Sequence, residues 1–176
     1  MINRKIENLA FKVLKDLNIT SPEEINLNKL CNFYGVQLEY KRLENNISGF
    51  YVVKNDRPYI VCNQNDSVKR QRFTIAHELG HHFLHKDTPL FVNKKGGLSS
   101  QIYHRNEESS TGEIRKEREA NAFAAALLMP ENLIEDQVFN CENTIDIDDL
   151  INDLAEKFDV STQAMSFRLA NLGYSF

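Results

Sequence analysis

The chain has 176 residues, of which 41% are hydrophobic and 26% charged, values that suit one soluble domain, or one domain with a small appendage, built on a real core. Its formal net charge of -4 argues against a protein that grips nucleic acid over a broad basic surface. Residues 1–5 lead into no long apolar run and no later stretch is long and apolar enough to span a bilayer, so neither a signal peptide nor a membrane anchor is expected, and the expected location is the cytoplasm.

Residues 3–17 place Ile6, Leu9, Ala10, Val13, Leu14 and Leu17 at helical spacing, which predicts a first helix. Ser21-Pro22-Glu23-Glu24 predicts the start of a second: serine caps, proline fits the first turn and Glu24 completes a capping box. That helix is expected to run to about Tyr34 and stop at Gly35. Residues 36–40 alternate as a half-buried strand does, and 47–53 and 59–62 are further strands around a turn at Asn55-Asp56-Arg57-Pro58. Together they predict a small, mainly antiparallel sheet. Asp66 or Ser67 then caps a helix that carries His77 to His85. Residues 86–112 are polar, with Gly96-Gly97, Ser99-Ser100 and Ser109-Ser110, and read as a long loop with room for a short hairpin. Residues 113–129 form a strong helix ended by Pro130, and 146–158 and 161–172 give two more, broken near Asp159-Val160. The order predicts an α+β fold, with a domain at 1–143 and a helical appendage at 144–176 packed on it. Cys31, Cys62 and Cys141 are odd in number and hold no C-x-x-C pair, so separate buried thiols are expected rather than disulfides or a cysteine zinc site.

The chemistry gathers on His77-Glu78-Leu79-Gly80-His81. Residues four apart on a helix lie about 40° apart around the axis and one turn along it, so the two imidazoles converge on one point. Each can offer a zinc ion a nitrogen at about 2.0–2.1 Å. Glu78 lies about 100° further round, where it misses the ligand positions and reaches a water that the ion acidifies. A catalytic zinc needs a third protein ligand and one open position. A downstream pattern ending in a ligand histidine meets Leu84 and Asp87 in place of its glycine and histidine, and fails. A glutamate from a later helix fits: in Glu117-Arg118-Glu119-Ala120-Asn121, Glu117 and Asn121 share a face. Glu117 can bind the metal while Asn121 hydrogen-bonds a ligand histidine. Glu119 is the rival ligand. Gly80 costs a helix about 1 kcal/mol against alanine, which close approach of another backbone would explain. His82 and His85 read as solvated or packing residues rather than a second metal site. Lys69-Arg70-Gln71-Arg72 opposes the helix dipole. It is either a solvated face or a sign that Arg72 pairs with a buried carboxylate or a peptide carbonyl. Tyr103 and His104 are candidate donors to an oxyanion.

At these residues the sequence resembles the ImmA/IrrE family of metallopeptidases. Two segments carry the resemblance: Arg70-Gln71-Arg72-Phe73-Thr74-Ile75-Ala76-His77-Glu78-Leu79-Gly80-His81, and Glu117-Arg118-Glu119-Ala120-Asn121-Ala122-Phe123-Ala124-Ala125-Ala126-Leu127-Leu128-Met129-Pro130. A weaker third runs from Phe158 to Gly173. The resemblance implies a zincin-like fold with a C-terminal helix-turn-helix-like pair. It implies Zn2+ on His77, His81 and Glu117, and Glu78 as general base. It further implies an intracellular zinc endopeptidase that cuts a helix-turn-helix repressor, an anti-repressor function common in mobile elements and stress responses. The segment from residue 86 to 112 departs from the family in its length.

The helical pair at the end holds Asp146, Asp148, Asp149, Asp153, Glu156 and Asp159 against Lys157 and Arg168. Phosphate neutralisation needs the opposite balance, so a structural or protein-binding role is expected, with no direct contact to nucleic acid. The alternative is a DNA-binding or protein-binding regulator with a structural zinc, but Glu78 would then have no task. A peptide substrate has to lie extended over the metal, and one strand between Ile47 and Cys62 is expected to form the sheet edge that holds it.

Overall fold

The computed structural model describes residues 2–85, 90–94, 107–139 and 146–174. In chain order the elements are α1 (Arg4–Asp16), a 3₁₀ turn (Pro22–Glu24), α2 (Leu27–Phe33), β1 (Gln37–Lys41), β2 (Ile47–Lys54), β3 (Arg57–Asn63), α3 (Val68–Leu84), β4 (Leu90–Lys94), α4 (Glu107–Leu128), α5 (Glu131–Phe139), α6 (Ile147–Lys157) and α7 (Thr162–Leu172). The fold is α+β. No helix among the described residues is long and apolar enough to cross a membrane. The chain forms two compact units: Leu27–Ala124, and Met1–Asn26 together with Ala125–Phe176.

The first unit holds a four-stranded mixed sheet of order β1-β3-β2-β4. β1 pairs with β3 in parallel, while β2 pairs antiparallel with both β3 and β4. Asn55 and Asp56, at φ 51° and 59°, make the two-residue turn between β2 and β3, a left-handed geometry that matches strand twist. β3 therefore starts at Arg57, inside the expected four-residue turn. α3 lies on β2 and β3, with Ile75, Ala76 and Leu79 in the core against Ile60 and Cys62 of the sheet.

Three expectations are corrected here. Among the described strands β2 and β3 are both internal and the outer ones are β1 and β4, so the edge beside α3 is not drawn from residues 47–62. β4 comes from the stretch read as loop, and among the described residues it pairs with β2. The helix expected from Ser21 to Tyr34 is two pieces. The Glu24 carboxylate accepts from the backbone amides of Thr20 at 2.7 Å and Ser21 at 3.1 Å, closing the 3₁₀ turn, and the chain bends at Ile25 before α2 begins. Ile25 and Leu27 are both buried. On one continuous helix they would lie about 200° apart, so one of them would face water.

The second unit is helical. α1 buries Ile6, Ala10, Val13 and Leu14, and α7 buries Met165, Arg168 and Leu169. The Arg168 guanidinium donates to both carboxylate oxygens of Glu7, at 2.6 and 2.9 Å, and to the Met129 carbonyl at 2.9 Å. This satisfies a charge that burial alone would penalise. α5 has no counterpart in the sequence reading. Pro130 ends α4, yet its carbonyl accepts from the Ile134 amide and starts the next helix. Phe158 and Val160 are buried on either side of Asp159, whose φ of 51° breaks the chain between α6 and α7.

Candidate metal centre

α3 is held at its start by polar side chains. Ser67 caps it, accepting from the Arg70 amide. The Gln71 side chain donates to the carbonyls of Asn63, Gln64 and Asp66 and so closes the connection from β3. Further along, the Tyr51 hydroxyl on β2 lies 3.2 Å from His82 Nδ1. Phe83 meets Tyr34 edge-on and also contacts Phe123 of α4. Between these anchors every residue from Thr74 to His81 is buried, so two imidazoles and a carboxylate stand where a helix would ordinarily carry apolar groups. Buried polar groups are costly unless something satisfies them.

α4 runs antiparallel to α3 and supplies the third donor. The backbones touch at Gly80: a Cβ there would lie 2.9 Å from the Ala120 Cα and 3.1 Å from its carbonyl oxygen. This is the close approach that a mid-helix glycine called for. It brings Glu117 and Asn121 of α4 onto the histidines. His77 Nε2 and His81 Nε2 are 3.0 Å apart, and Glu117 Oε2 and Oε1 lie 3.3 and 3.2 Å from them. The structure thus gathers His77, His81 and Glu117 as one possible metal-holding group. A tetrahedral ion with bonds of about 2.0–2.1 Å needs donors roughly 3.3 Å apart, so the set fits one zinc-sized ion. His77 Nδ1 is 2.9 Å from Asn121 Oδ1. An amide oxygen only accepts, so Nδ1 carries the proton and Nε2 keeps its lone pair free for a metal.

The charges agree with that use. Burial, the largest influence, lowers the His81 pKa to about 4, with the His77 imidazole acting in the same direction and the Glu117 carboxylate opposing both. For Glu117 burial works against the charge, but the adjoining imidazoles of His77 and His81 outweigh it and hold the carboxyl well below the usual range. Glu78 is fully buried, and burial pushes its pKa up to about 8. Neither of its oxygens makes a well-formed hydrogen bond to a described group, although the Tyr51 backbone amide favours its charged form. A carboxylate so placed is short of a donor, and the charges of His77 and Glu117 are near enough to act on it.

The other candidates lie as follows. Glu119 turns away from the cluster toward Arg115 and His85. Arg72 is half-buried on α3. Tyr103 and His104 lie outside the described residues, as do Asp87 and Cys141. Cys31 and Cys62 are buried free thiols, each pushed up to about 12 by burial. The sequence reading missed His85 as a partner of α4, although its spacing of four from His81 repeats that of the motif itself. It also missed Tyr51 and Gln71, which have no local signature.

Two histidines one turn apart on a helix backing a small sheet, completed by a glutamate from a second helix, form the kind of centre found in metallopeptidases. Residues 31–170 match the family model described as the IrrE N-terminal-like domain, peptidase M78. The chain belongs to that ImmA/IrrE family of metallopeptidases. It is 27% identical over 116 residues to Metallopeptidase ImmA of Bacillus subtilis (strain 168), a match that covers 62% of this chain and 54% of the relative. A solved structure titled Mycobacterium tuberculosis transcriptional regulator shares the fold with a TM-score of 0.66 at 14% identity, covering 96% of this chain and 48% of that one. The chain therefore spans about half the length of each of these relatives.

Proposed function

We propose that the chain is a zinc-dependent endopeptidase that cuts a protein partner, with a helix-turn-helix transcriptional repressor as substrate and relief of repression as the outcome. The observation that carries this reading is the set of three donors 3.0–3.3 Å apart beside a buried carboxylate short of a hydrogen-bond donor. The family and the name of the Bacillus subtilis relative support peptidase chemistry.

In this reading His77 and His81 hold the metal through Nε2, Asn121 fixes the His77 tautomer, and Glu117 is the third ligand. Zinc supplies Lewis acidity toward water and toward the scissile carbonyl. Glu78 takes the proton of the attacking water and passes it to the departing amine. Tyr103 and His104 are proposed donors to the developing oxyanion, and Arg72 a structural or substrate-positioning group. The peptide lies extended along an outer strand, and β4 takes the place first expected of residues 47–62. Main-chain pairing reads little sequence, so selectivity falls to residues 86–112 and to α6 and α7, acting on a folded partner in the cytoplasm. Neither membrane nor nucleic acid is part of the cycle.

The test is incubation of the zinc-loaded chain with helix-turn-helix repressors from its own genome, with products read by mass spectrometry. Cleavage by wild type and not by Glu78→Gln supports the reading. Fast turnover of unrelated short peptides, or every repressor intact after exposure to the loaded wild type, counts against it.

A further inference from the structure

His77, His81 and His85 recur every four residues along α3, and each meets α4. His77 reaches Asn121 at 2.9 Å and His81 reaches Glu117 at 3.2 Å. His85, the C-cap residue of α3 and only 8% exposed, has its Nε2 at 3.2 Å from the Lys116 carbonyl oxygen and 3.6 Å from Glu119 Oε2. Successive imidazole rings are 4.7 and 5.5 Å apart, so the three form one ladder.

We propose that His85 is a positioning residue for Glu117: by donating Nε2–H to the Lys116 carbonyl it pins the register of α4 on α3, so that the Glu117 carboxylate meets both metal histidines. This rests on the reading of His77, His81 and Glu117 as the ligands.

A carbonyl can only accept, so the His85 nitrogen that faces Lys116 carries a proton and is not a metal ligand. The Lys116 carbonyl has two lone pairs, one for its helix partner and one for this bond. Glu117 is then bracketed, with Asn121 held by His77 one turn beyond it and Lys116 held by His85 immediately before it. The Gly80–Ala120 contact sets how close the helices come, but a smooth backbone contact resists sliding poorly. A slip of one residue would move Glu117 by about 1.5 Å along the axis and 100° around it. Metal–ligand distances tolerate only about 0.2 Å. Glu119 braces the arrangement, since its Oε1 accepts from Arg115 at 2.8 Å while Oε2 faces His85.

The experiment compares wild type, His85→Asn and His85→Gln in the full chain. Asparagine suits a helix C-terminus but is too short to reach the carbonyl, whereas the glutamine amide can donate to it. Zinc affinity is read by chelator competition, and amide hydrogen exchange at residues 117–121 is read in metal-free protein. His85→Asn should bind zinc about 10–100-fold more weakly, the usual effect of losing a group that orients a ligand, and should exchange faster at 117–121. His85→Gln should stay close to wild type on both. Wild-type affinity in both variants overturns the proposal, and so does an equal loss in both, which would trace the effect to ring packing. A wild-type chain that binds no zinc refutes the metal reading instead. The exchange arm then decides the clamp, and equal exchange in wild type and His85→Asn overturns it.

Discussion

Replacing Gly80 by alanine sets two effects against each other in one methyl group. Alanine favours the helix over glycine by about 1 kcal/mol. The new Cβ, however, would stand 2.9 Å from the Ala120 Cα, 3.1 Å from its carbonyl oxygen and 3.3 Å from its Cβ. Ordinary carbon contacts lie at about 3.5–4.0 Å, so α3 and α4 have to separate by roughly half an ångström or more. Two of the opposing atoms are backbone and cannot rotate aside. Overpacking of this kind costs about 1–3 kcal/mol, so the metal-free variant should range from unchanged to about 2 kcal/mol less stable. The metal should suffer more, because Glu117 sits on the helix that is pushed back and ligand distances tolerate only about 0.2 Å. Melting in EDTA and again in saturating zinc separates the two effects. Each tenfold loss of affinity removes about 1.4 kcal/mol from the stabilisation that zinc confers. A variant about 1 kcal/mol more stable in EDTA, with the full zinc-induced shift retained, would refute the reasoning.

Elemental analysis should find about one zinc per chain in wild type and Glu119→Ala and little in His77→Ala or Glu117→Ala; zinc kept by Glu117→Ala and lost by Glu119→Ala would reverse the choice of ligand. Glu78→Gln should keep metal and fold but lose cleavage by about 10²–10⁴-fold in a turnover assay, since an amide cannot take the proton; wild-type turnover would sink the mechanism. Arg168→Met strands the Glu7 carboxylate and the Met129 carbonyl. Breaking a buried pair costs about 3–5 kcal/mol in chemical denaturation, and a loss below about 1 kcal/mol would mean that the pair behaves as a surface contact.

The grouping of His77, His81 and Glu117 was legible because its geometry is local. A spacing of four sets His77 over His81, and the same spacing sets Glu117 beside Asn121, so each half can be drawn before the helices are packed. Gly80 added the one long-range hint, a residue unsuited to a helix unless another backbone lies against it. What the sequence did not disclose depends on partners far along the chain. Whether β2 is an edge is decided by β4, about forty residues later, in a stretch whose Gly and Ser content reads as loop. The same composition hid the first turns of α4, where Ser109, Ser110 and Gly112 are poor helix formers. α5 leaves little signal because a proline marks the end of one helix and the first turn of the next equally well. The bend at Ile25 follows from a requirement that two residues be buried, which no capping box records.

The helical unit has a consequence for the making of the protein. Its two segments, Met1–Asn26 and Ala125–Phe176, are separated by the whole of the sheet-bearing unit, and the contact from Glu7 to Arg168 spans 161 positions. Ribosomes add about 5–20 residues per second, so the apolar side of α1 waits roughly ten to thirty seconds for the partners it folds against. Leu27–Ala124 is continuous and can close first. Closing the outer loop costs entropy that grows only with the logarithm of its length, about (3/2)RT ln n, and a pre-folded insert shortens the effective span. During that interval Ile6, Ala10, Val13 and Leu14 form an uncovered stripe on the nascent chain. That stripe is where a chaperone would bind, and where aggregation would begin if synthesis stalled before residue 125.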